Sequence, residues 1–355
     1  MSYRKIQLRQ DTSARFNSKN PVLLYGEPAI ETDTGRIKIG DGVSNYSNLP
    51  YQDADLRVQQ EINDRIYQGT DLTVKFAKEI ANFSDEWAWI KSRITAGNFT
   101  GIHIGDYIPV AMSAGTVGAD SVAAQTFKCQ VAGIDTYYQA GDTPIPHHID
   151  FVSKEVIDKE VKWNPTDNNN GTSVNQYPWL ASALYGWLNG KNNYTTSAYG
   201  NVAHGISAEG NGILQLLPAK LQNVIVEKRM LLEKRYSSSG LLSNSIGWDW
   251  KDAGKLWTLT ELEVYGTLIW SGSFPGTEVQ AWASMCTDQY PLFANNVGSN
   301  GRLKLMSNGG RSTWWLLAAH GGASSGVCFV GGHGDAGYGL ATLAGIRVPL
   351  CFRVC

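Results

Sequence analysis

Apolar and polar positions divide this sequence into three stretches of different period. Over residues 1–51 the pattern is short and punctuated: alternation in Lys5-Ile6-Gln7-Leu8-Arg9, an apolar run at Val22–Tyr25, and Arg36-Ile37-Lys38-Ile39 between Gly35 and Gly40-Asp41-Gly42. This predicts small strands joined by tight turns. Over residues 52–96 apolar residues thin out into a stripe, Phe76, Ile80, Phe83, Trp87, Ile90 and Ile94, spaced alternately by four and three. A stripe of period 3.5 predicts a helical connector, with two readings: an oligomerising coiled-coil stalk, or a helix packed on its own domain.

From residue 97 to 355 the chain mixes short apolar runs with Gly, Asn and Ser. Trp179–Leu188 and Pro218–Val226 are predicted as helices, and Val131–Tyr137, Leu256–Leu259, Trp314-Trp315-Leu316, Val327–Val330 and Ile346–Val354 as strands, the last three sharing a core. The glycine-rich segments Ala318–Gly326 and Gly331–Thr342 cannot fill a core and are expected as rim loops, and Asp167–Thr172 as a surface loop. The fold class expected is α+β: a small N-terminal β module, a short helical connector and a large C-terminal domain.

Composition narrows the function classes. With 43% hydrophobic and 17% charged residues the chain is a folded globular protein. Thirty Lys+Arg against 32 Asp+Glu give a net charge of −2, which disfavours nucleic acid and anionic membranes as partners. Five cysteines, Cys129, Cys286, Cys328, Cys351 and Cys355, contain no C-x-x-C pair and are expected as free thiols. No apolar run is long enough for membrane insertion, and no signal-peptide h-region follows MSYRKIQLRQ, so synthesis in a host cytoplasm without a signal peptide is expected.

Several fragments imitate known chemistry. Gly322-Ala-Ser324-Ser325-Gly326 satisfies the nucleophile-elbow pattern, but no helix-forming run follows it and no histidine lies after Asp335. Gly332-His333-Gly334-Asp335-Ala-Gly337 satisfies the dinucleotide fingerprint with too little chain after it for a βαβ unit. His147-His148-x-Asp150 puts adjacent side chains on opposite strand faces, so one metal ion is not expected to hold both. No catalytic residue, metal or cofactor is predicted. Most of the 12 Trp and 16 Tyr are expected in cores. Aromatics in loop-like sequence, Tyr194, Tyr199, Trp248, Trp250, Tyr290 and above all Tyr338, are the binding candidates.

Two resemblances add to this. The run Gly26-Glu-Pro-Ala-Ile-Glu31-Thr-Asp-Thr-Gly35-Arg-Ile-Lys-Ile-Gly40-Asp-Gly42, with Ile6-Gln7-Leu8-Arg9 before it and Leu49-Pro50-Tyr51 after it, resembles the N-terminal domain of the phage major tropism determinant family. This implies a trimeric β-prism-like module joining a fibre-tip protein to other virion proteins. Trp179-Leu180, Trp187-Leu188-Asn189, Lys255–Gly266, Trp314-Trp315-Leu316, Phe329-Val330 and Gly345–Pro349 resemble the C-type-lectin-like domains of phage and bacterial surface proteins. Relatives of that fold include the formylglycine-generating enzyme, whose active-site cysteine pair has no evident counterpart here. The calcium-binding Glu-Pro-Asn triplet of sugar-binding lectins is absent too.

Together they imply a homotrimeric tail-fibre adhesin of the virion, recognising a host cell-surface glycan or protein through His320, Ser324, Ser325, His333, Asp335 and Tyr338. Phe76, Ile80, Phe83, Trp87, Ile90 and Ile94 would then serve oligomerisation. The rival expectations are a virion structural protein, such as a head fibre or decoration subunit, and a glycan-degrading enzyme.

Overall fold

A computed structural model describes residues 8–52, 69–171, 175–191, 210–236, 247–272, 288–294 and 299–355. Tyr194, Tyr199 and Cys286 lie outside the described residues. The chain forms two compact units, Met1–Tyr67 and Gln68–Cys355.

In the first unit, strand β2 (Pro28–Glu31) runs parallel to β1 (Arg9–Asp11) and antiparallel to β3 (Ile37–Ile39). A parallel pair needs a crossover, which the helix Ser13–Lys19 supplies. Its signals are in the sequence: the Thr12 side chain caps the N-terminus, and Asn20 closes the C-terminus in the left-handed region. Val22–Tyr25, expected as a strand, contributes a single bridge from Val22 to Asn45.

The apolar core is Phe16, Leu23, Ala29, Tyr46 and Leu49. Five side chains are few, and a buried polar cluster supplements them. The Glu31 carboxylate accepts hydrogen bonds from Tyr46 Oη at 3.0 Å and Tyr51 Oη at 2.7 Å, while Lys38 Nζ donates to the Tyr46 carbonyl and sits over both rings. Gly40 is required, since a Cβ there would stand 2.2 Å from the Leu24 carbonyl oxygen.

The second unit carries strands β4 (Tyr107–Met112), β5 (Gly115–Val117), β6 (Asp120–Val122), β7 (Gln125–Ile134), β8 (Ile149–Val156), β9 (Ile225–Val226), β10 (Arg229–Lys234), β11 (Gly247–Asp252), β12 (Lys304–Leu305), β13 (Arg311–Ser312), β14 (Trp314–Ala319), β15 (Gly326–Val330), β16 (Ala336–Leu340) and β17 (Pro349–Val354). The main sheet is centred on β8, which pairs antiparallel with β7 on one side and with β17 on the other. The last strand of the chain therefore closes against an early one. A separate antiparallel sheet is formed by β14, β15 and β16, and β5–β6 and β10–β11 are hairpins. The chain is mixed α and β, as expected, and β14, β15 and β17 share one core, as expected, although β17 lies in a different sheet from the other two.

Three expected boundaries move for local reasons. The Trp179–Leu188 helix is broken at Ser182, whose hydroxyl caps a second helix, Ala183–Asn189. The Pro218–Val226 helix stops at Gln222, and Ile225–Val226 joins β17 as β9. The segment Gly331–Thr342, expected as a loop, contains β16: its glycines leave room for the Phe329 ring on one face, where a Cβ at Gly337 would come within 2.4 Å of it.

The oligomerising role expected for the helical stripe is corrected here. Trp87, Ile90 and Ile94, on the helix Glu86–Thr95, are fully buried in the core of the second unit, and Phe76 and Ile80 pack against that core. Trp87 meets Phe151 of β8 and Phe352 of β17 edge-on at 5.8 and 5.7 Å. Phe83 alone of the six stays exposed. A period of 3.5 specifies an apolar face but not what covers it, and here the main sheet covers it. Residues 69–96 accordingly belong with the head and not to a separate connector.

At the centre of the head lies a buried ionic network. Arg353 of β17 forks onto Asp150 of β8 at 2.7 and 2.8 Å, Tyr290 Oη donates to the same carboxylate at 2.7 Å, and Lys228 Nζ joins Tyr290 to Glu263. Burial alone would raise the Asp150 carboxyl, but the Arg353 guanidinium overrides it and holds the group well below the usual carboxylate range. Tyr290, taken from the sequence as a surface candidate, is part of this network and fully buried.

Candidate functional site

Bulky residues on β14 anchor the small sheet. Trp314, Trp315 and Leu316 are buried, with the two indole N–H groups donating to the carbonyls of Arg302 and Val161. On β16 the alternation Ala-Gly-Tyr-Gly-Leu turns Tyr338 and Leu340 outward. Tyr338 is 47% exposed, and its ring lies 4.1 Å from His320 and 4.9 Å from Trp270, itself 39% exposed. Ile269, Leu340 and Leu343 are also exposed. The result is an uncharged aromatic and aliphatic face.

Each support of this face is fixed by a buried polar group. Glu261, fully buried at the start of the helix Glu261–Tyr265, accepts from the backbone N–H groups of Ile269, Trp270 and Ser271 and from the Ser271 hydroxyl. One carboxylate thus holds the whole loop that presents Trp270. The Trp270 indole N–H donates to the Ala336 carbonyl at 3.2 Å, and Gly321 N–H donates to the Trp270 carbonyl at 2.8 Å. The 320–326 turn is braced from below by Asn169, whose side chain donates to the Ala323 and Gly326 carbonyls and whose N–H donates to the Ser324 carbonyl. Asn169 is fully buried. Of the Asp167–Thr172 segment, expected as a plain surface loop, Thr172 lies outside the described residues, and Asn169 reaches inward as a strut.

His320 Nδ1 accepts from the Gly322 N–H at 3.0 Å, which leaves the ring proton on Nε2 as a donor. Burial and the nearby Arg235 guanidinium lower its proton affinity, so the neutral ring is favoured at pH 7.

The six residues expected to bind together do not all meet. His320, Ser324 and Ser325 lie at the β14–β15 turn, and Tyr338 lies on β16 beside them. His333 and Asp335, both exposed, lie on the tight turn Gly331–Gly334 and just after it, between β15 and β16. The five residues of β15, at about 3.3 Å each, separate the two turns by on the order of 13 Å. His333 and Asp335 thus lie at the other end of β15 from His320. Both catalytic look-alike motifs are hairpin turns, so neither a strand-to-helix elbow nor a βα phosphate loop exists there.

Trp270 escaped the sequence reading because it sits in Ile269-Trp270-Ser271-Gly272, a short run with no period. The one usable signal was Glu261 of the Thr260–Glu263 capping box, and the sequence does not say that its carboxylate holds this loop. Trp248 and Trp250 are half-buried on β11. His147 stacks on Tyr138 at 4.0 Å and pairs with Asp135 at 2.6 Å, whereas His148 is buried with Nδ1 on the Pro146 carbonyl. Both residues precede β8 and so do not alternate on a strand as expected; both approach the Asp135 carboxylate, with His148 Nδ1 4.0 Å from it. Among the described residues no cluster of three metal-ligating side chains occurs, and no helix is long and apolar enough to cross a membrane. Cys129, Cys328 and Cys351 are buried free thiols, and Cys355 is partly buried.

The glycines and acids that shape the first unit, Gly35 and Gly40 at turns and Glu31 at the polar cluster, all fall in a stretch that a known family shares. Residues 6–44 match the major tropism determinant N-terminal domain. The tropism-determinant match thus covers most of the first unit and leaves the head unmatched. No curated protein matches the chain. Two solved structures overlap with it in part. One is a hyaluronidase trimer in complex with ascorbic acid, 27% identical over 23% of this chain and 24% of that one, with a TM-score of 0.16. The other is a tail fibre encoded by a group A streptococcal phage and showing hyaluronan lyase activity, 23% identical over 23% and 25% of the two chains, with a TM-score of 0.15. The chain thus spans about a quarter of the length of either, and neither likeness supports an inference about the head.

Proposed function

We propose that this chain is a phage tail-fibre receptor-binding protein of the virion, in which a tropism-determinant-type first unit attaches to virion proteins and trimerises while a C-type-lectin-like head grips the host surface. Binding is assigned to the face built by Trp270, His320, Tyr338 and Leu340. The observation that carries this reading is that three aromatic rings are held in mutual contact at the surface by buried Glu261 and Asn169. Ordered, outward-facing aromatic and aliphatic side chains gain contact area at low entropic cost on binding. The lectin-like assignment is favoured by the closure of β17 on β8 and by the small sheet that carries its functional residues on strand ends and turns. An adhesive role is favoured by the aromatic and aliphatic character of the face.

Trimerisation is favoured by the first unit itself. Leu24, Tyr25 and Val43 are 74%, 88% and 83% exposed on a unit whose own core has five apolar side chains. A domain this small gains stability by covering such residues with further copies of itself. Light scattering on the full-length protein is expected to give a trimer at micromolar concentration, and Tyr25→Glu with Val43→Glu a monomer. A wild-type monomer would remove trimer avidity from the account.

For the binding face, Trp270→Ala is expected to weaken adhesion to host cells by more than about tenfold with little change in the melting temperature, because the ring is a surface anchor. His333→Ala, at the far turn, is expected to leave adhesion within about twofold. Undiminished adhesion by Trp270→Ala would place the receptor site elsewhere.

A further inference from the structure

Behind the exposed face, the hairpin β10–β11, the helix Glu261–Tyr265 and β14 enclose a cavity of about 50 Å³. Ser271 and Ala319 line it, next in sequence to Trp270 and His320 of the outer face. Trp248, Trp250 and Leu268 on its rim are only partly buried, so it meets the surface along that side. A water needs roughly 10–15 Å³ of such space, so the volume would hold three or four waters or one small chemical group. Its walls are apolar and aromatic, with Leu231, Leu232, Leu262, Leu317 and Trp179 among them.

On this lining Glu233 Oε1 and Trp248 Nε1 lack hydrogen-bond partners among the described residues. Their residues stand directly opposite in the β10–β11 register, and side chains so paired share one face of a hairpin. Glu233 is more than nine-tenths buried, and its nearest cation, Arg235 Nε, is 3.6 Å away. Buried polar atoms are rarely left unpaired, so an acceptor and a donor without hydrogen bonds, side by side on one wall of an apolar cavity, call for an occupant.

The occupant's chemistry follows by elimination. The other two carboxylates on the wall are matched already: Glu261 by the 269–271 loop and Glu263 by Lys228 and Tyr137. An amine would therefore find no uncompensated charge: Glu233 already has Arg235 Nε at 3.6 Å, and burial raises its carboxyl to about 7, which makes the charged form costly. A hydrocarbon would leave both polar atoms unsatisfied. What fits is a neutral group with one N–H for Glu233, one carbonyl for the Trp248 indole and a methyl for the apolar wall, joined to a ring that can lie on Trp250 at the rim.

We propose that this cavity is a subsite for the acetamido group of an N-acetylated amino sugar. The assignment rests on the receptor-binding reading above and names the chemical class of its ligand. The amide N–H donates to Glu233, the amide carbonyl accepts from Trp248, and the sugar ring stays outside.

Saturation-transfer NMR on the full-length protein tests it with N-acetylglucosamine, glucosamine, glucose and acetamide as probes. The acetamido methyl of N-acetylglucosamine is expected to receive the strongest saturation. Acetamide should compete for it, and glucose and glucosamine should not bind at the same concentration. Trp248→Phe, which keeps a ring but removes the donor, is expected to weaken binding at least fivefold, whereas His333→Ala, exposed on the far turn, should leave it within about twofold. No saturation with any probe, which would mean a cavity filled by water only, overturns the proposal. So does saturation spread evenly over the ring protons, or binding unchanged by Trp248→Phe in a variant whose melting temperature shows it folded. Host-cell adhesion measured beside this separates the two readings: adhesion without a methyl signal sinks the subsite alone, and a methyl signal without adhesion sinks the receptor reading alone.

Discussion

Replacing Asp150 by alanine is expected to lower the unfolding free energy of the head by about 3–5 kcal/mol, the cost of leaving a buried cation without its partner. The residue stands directly opposite Arg353 in the β8–β17 register, so the ion pair spans the seam where the last strand closes the main sheet. Both side chains are almost wholly inaccessible, and their geometry is bidentate. Removal of the carboxylate leaves the guanidinium in a low-dielectric interior and frees the Tyr290 hydroxyl that donated to it. Asp150→Asn should cost nearly as much, because it keeps the volume and loses the charge. Replacing Asp150 and Arg353 together by apolar residues should recover a large part of the loss, since a matched pair contributes less than its halves appear to. Urea denaturation of the three variants measures this. A cost below about 1 kcal/mol for Asp150→Ala would mean that the pair does not hold the seam.

The second large effect is hidden in the wild type by cancellation. Burial, then the Arg353 charge, lower His148 from 6.5 to about 4. Between those values the unfolded chain binds a proton that the folded chain refuses, so stability falls as the pH drops from 6.5 towards 4. Glu233 is shifted the other way by burial, from 4.5 to about 7. Its folded form holds a proton that the unfolded form releases, so this contribution is complete below pH 4.5 and is lost as the pH rises through 7. Each shift corresponds to roughly 3 kcal/mol at most. Between pH 7 and 4.5 the two oppose each other, with His320 adding a smaller effect in the direction of His148. Wild-type stability is therefore expected to vary little over this window. Glu233→Gln should expose the histidine effect as a fall of about 2–3 kcal/mol from pH 7 to 4.5, read from urea midpoints. Parallel pH profiles for the variant and the wild type would show that Glu233 does not titrate in this window.

How much of the site was legible depended on how far apart its parts lie in sequence. Tyr338 could be chosen from the sequence because an aromatic between glycines cannot be a core strand of the ordinary kind. His320 and Ser324 could be chosen because a glycine-rich turn between two apolar runs must reach the surface. Trp270 could not, since its placement depends on Glu261 nine residues earlier and on a bridge from Ser271 to His320. Nor could Asn169, whose run of asparagines reads as a solvated loop until its side chain is seen beneath the 320–326 turn. His333 and Asp335 misled for the opposite reason: they are near His320 in sequence, but a strand lies between them.

The amino-acid order by itself determined the punctuated β character of the first unit, the mixed fold of the head, and the failure of both catalytic look-alike motifs, because each follows from residue types and spacings over fewer than about 20 positions. Only the tertiary structure decided what covers each apolar face. The stripe from Phe76 to Ile94 is the same whether a second chain or the strands β8 and β17 lie against it, and the hydrophobic effect has no direction with which to choose. Pairing over long sequence distances made that choice, together with the union of Asp150 with Arg353 and of Glu233 with Trp248.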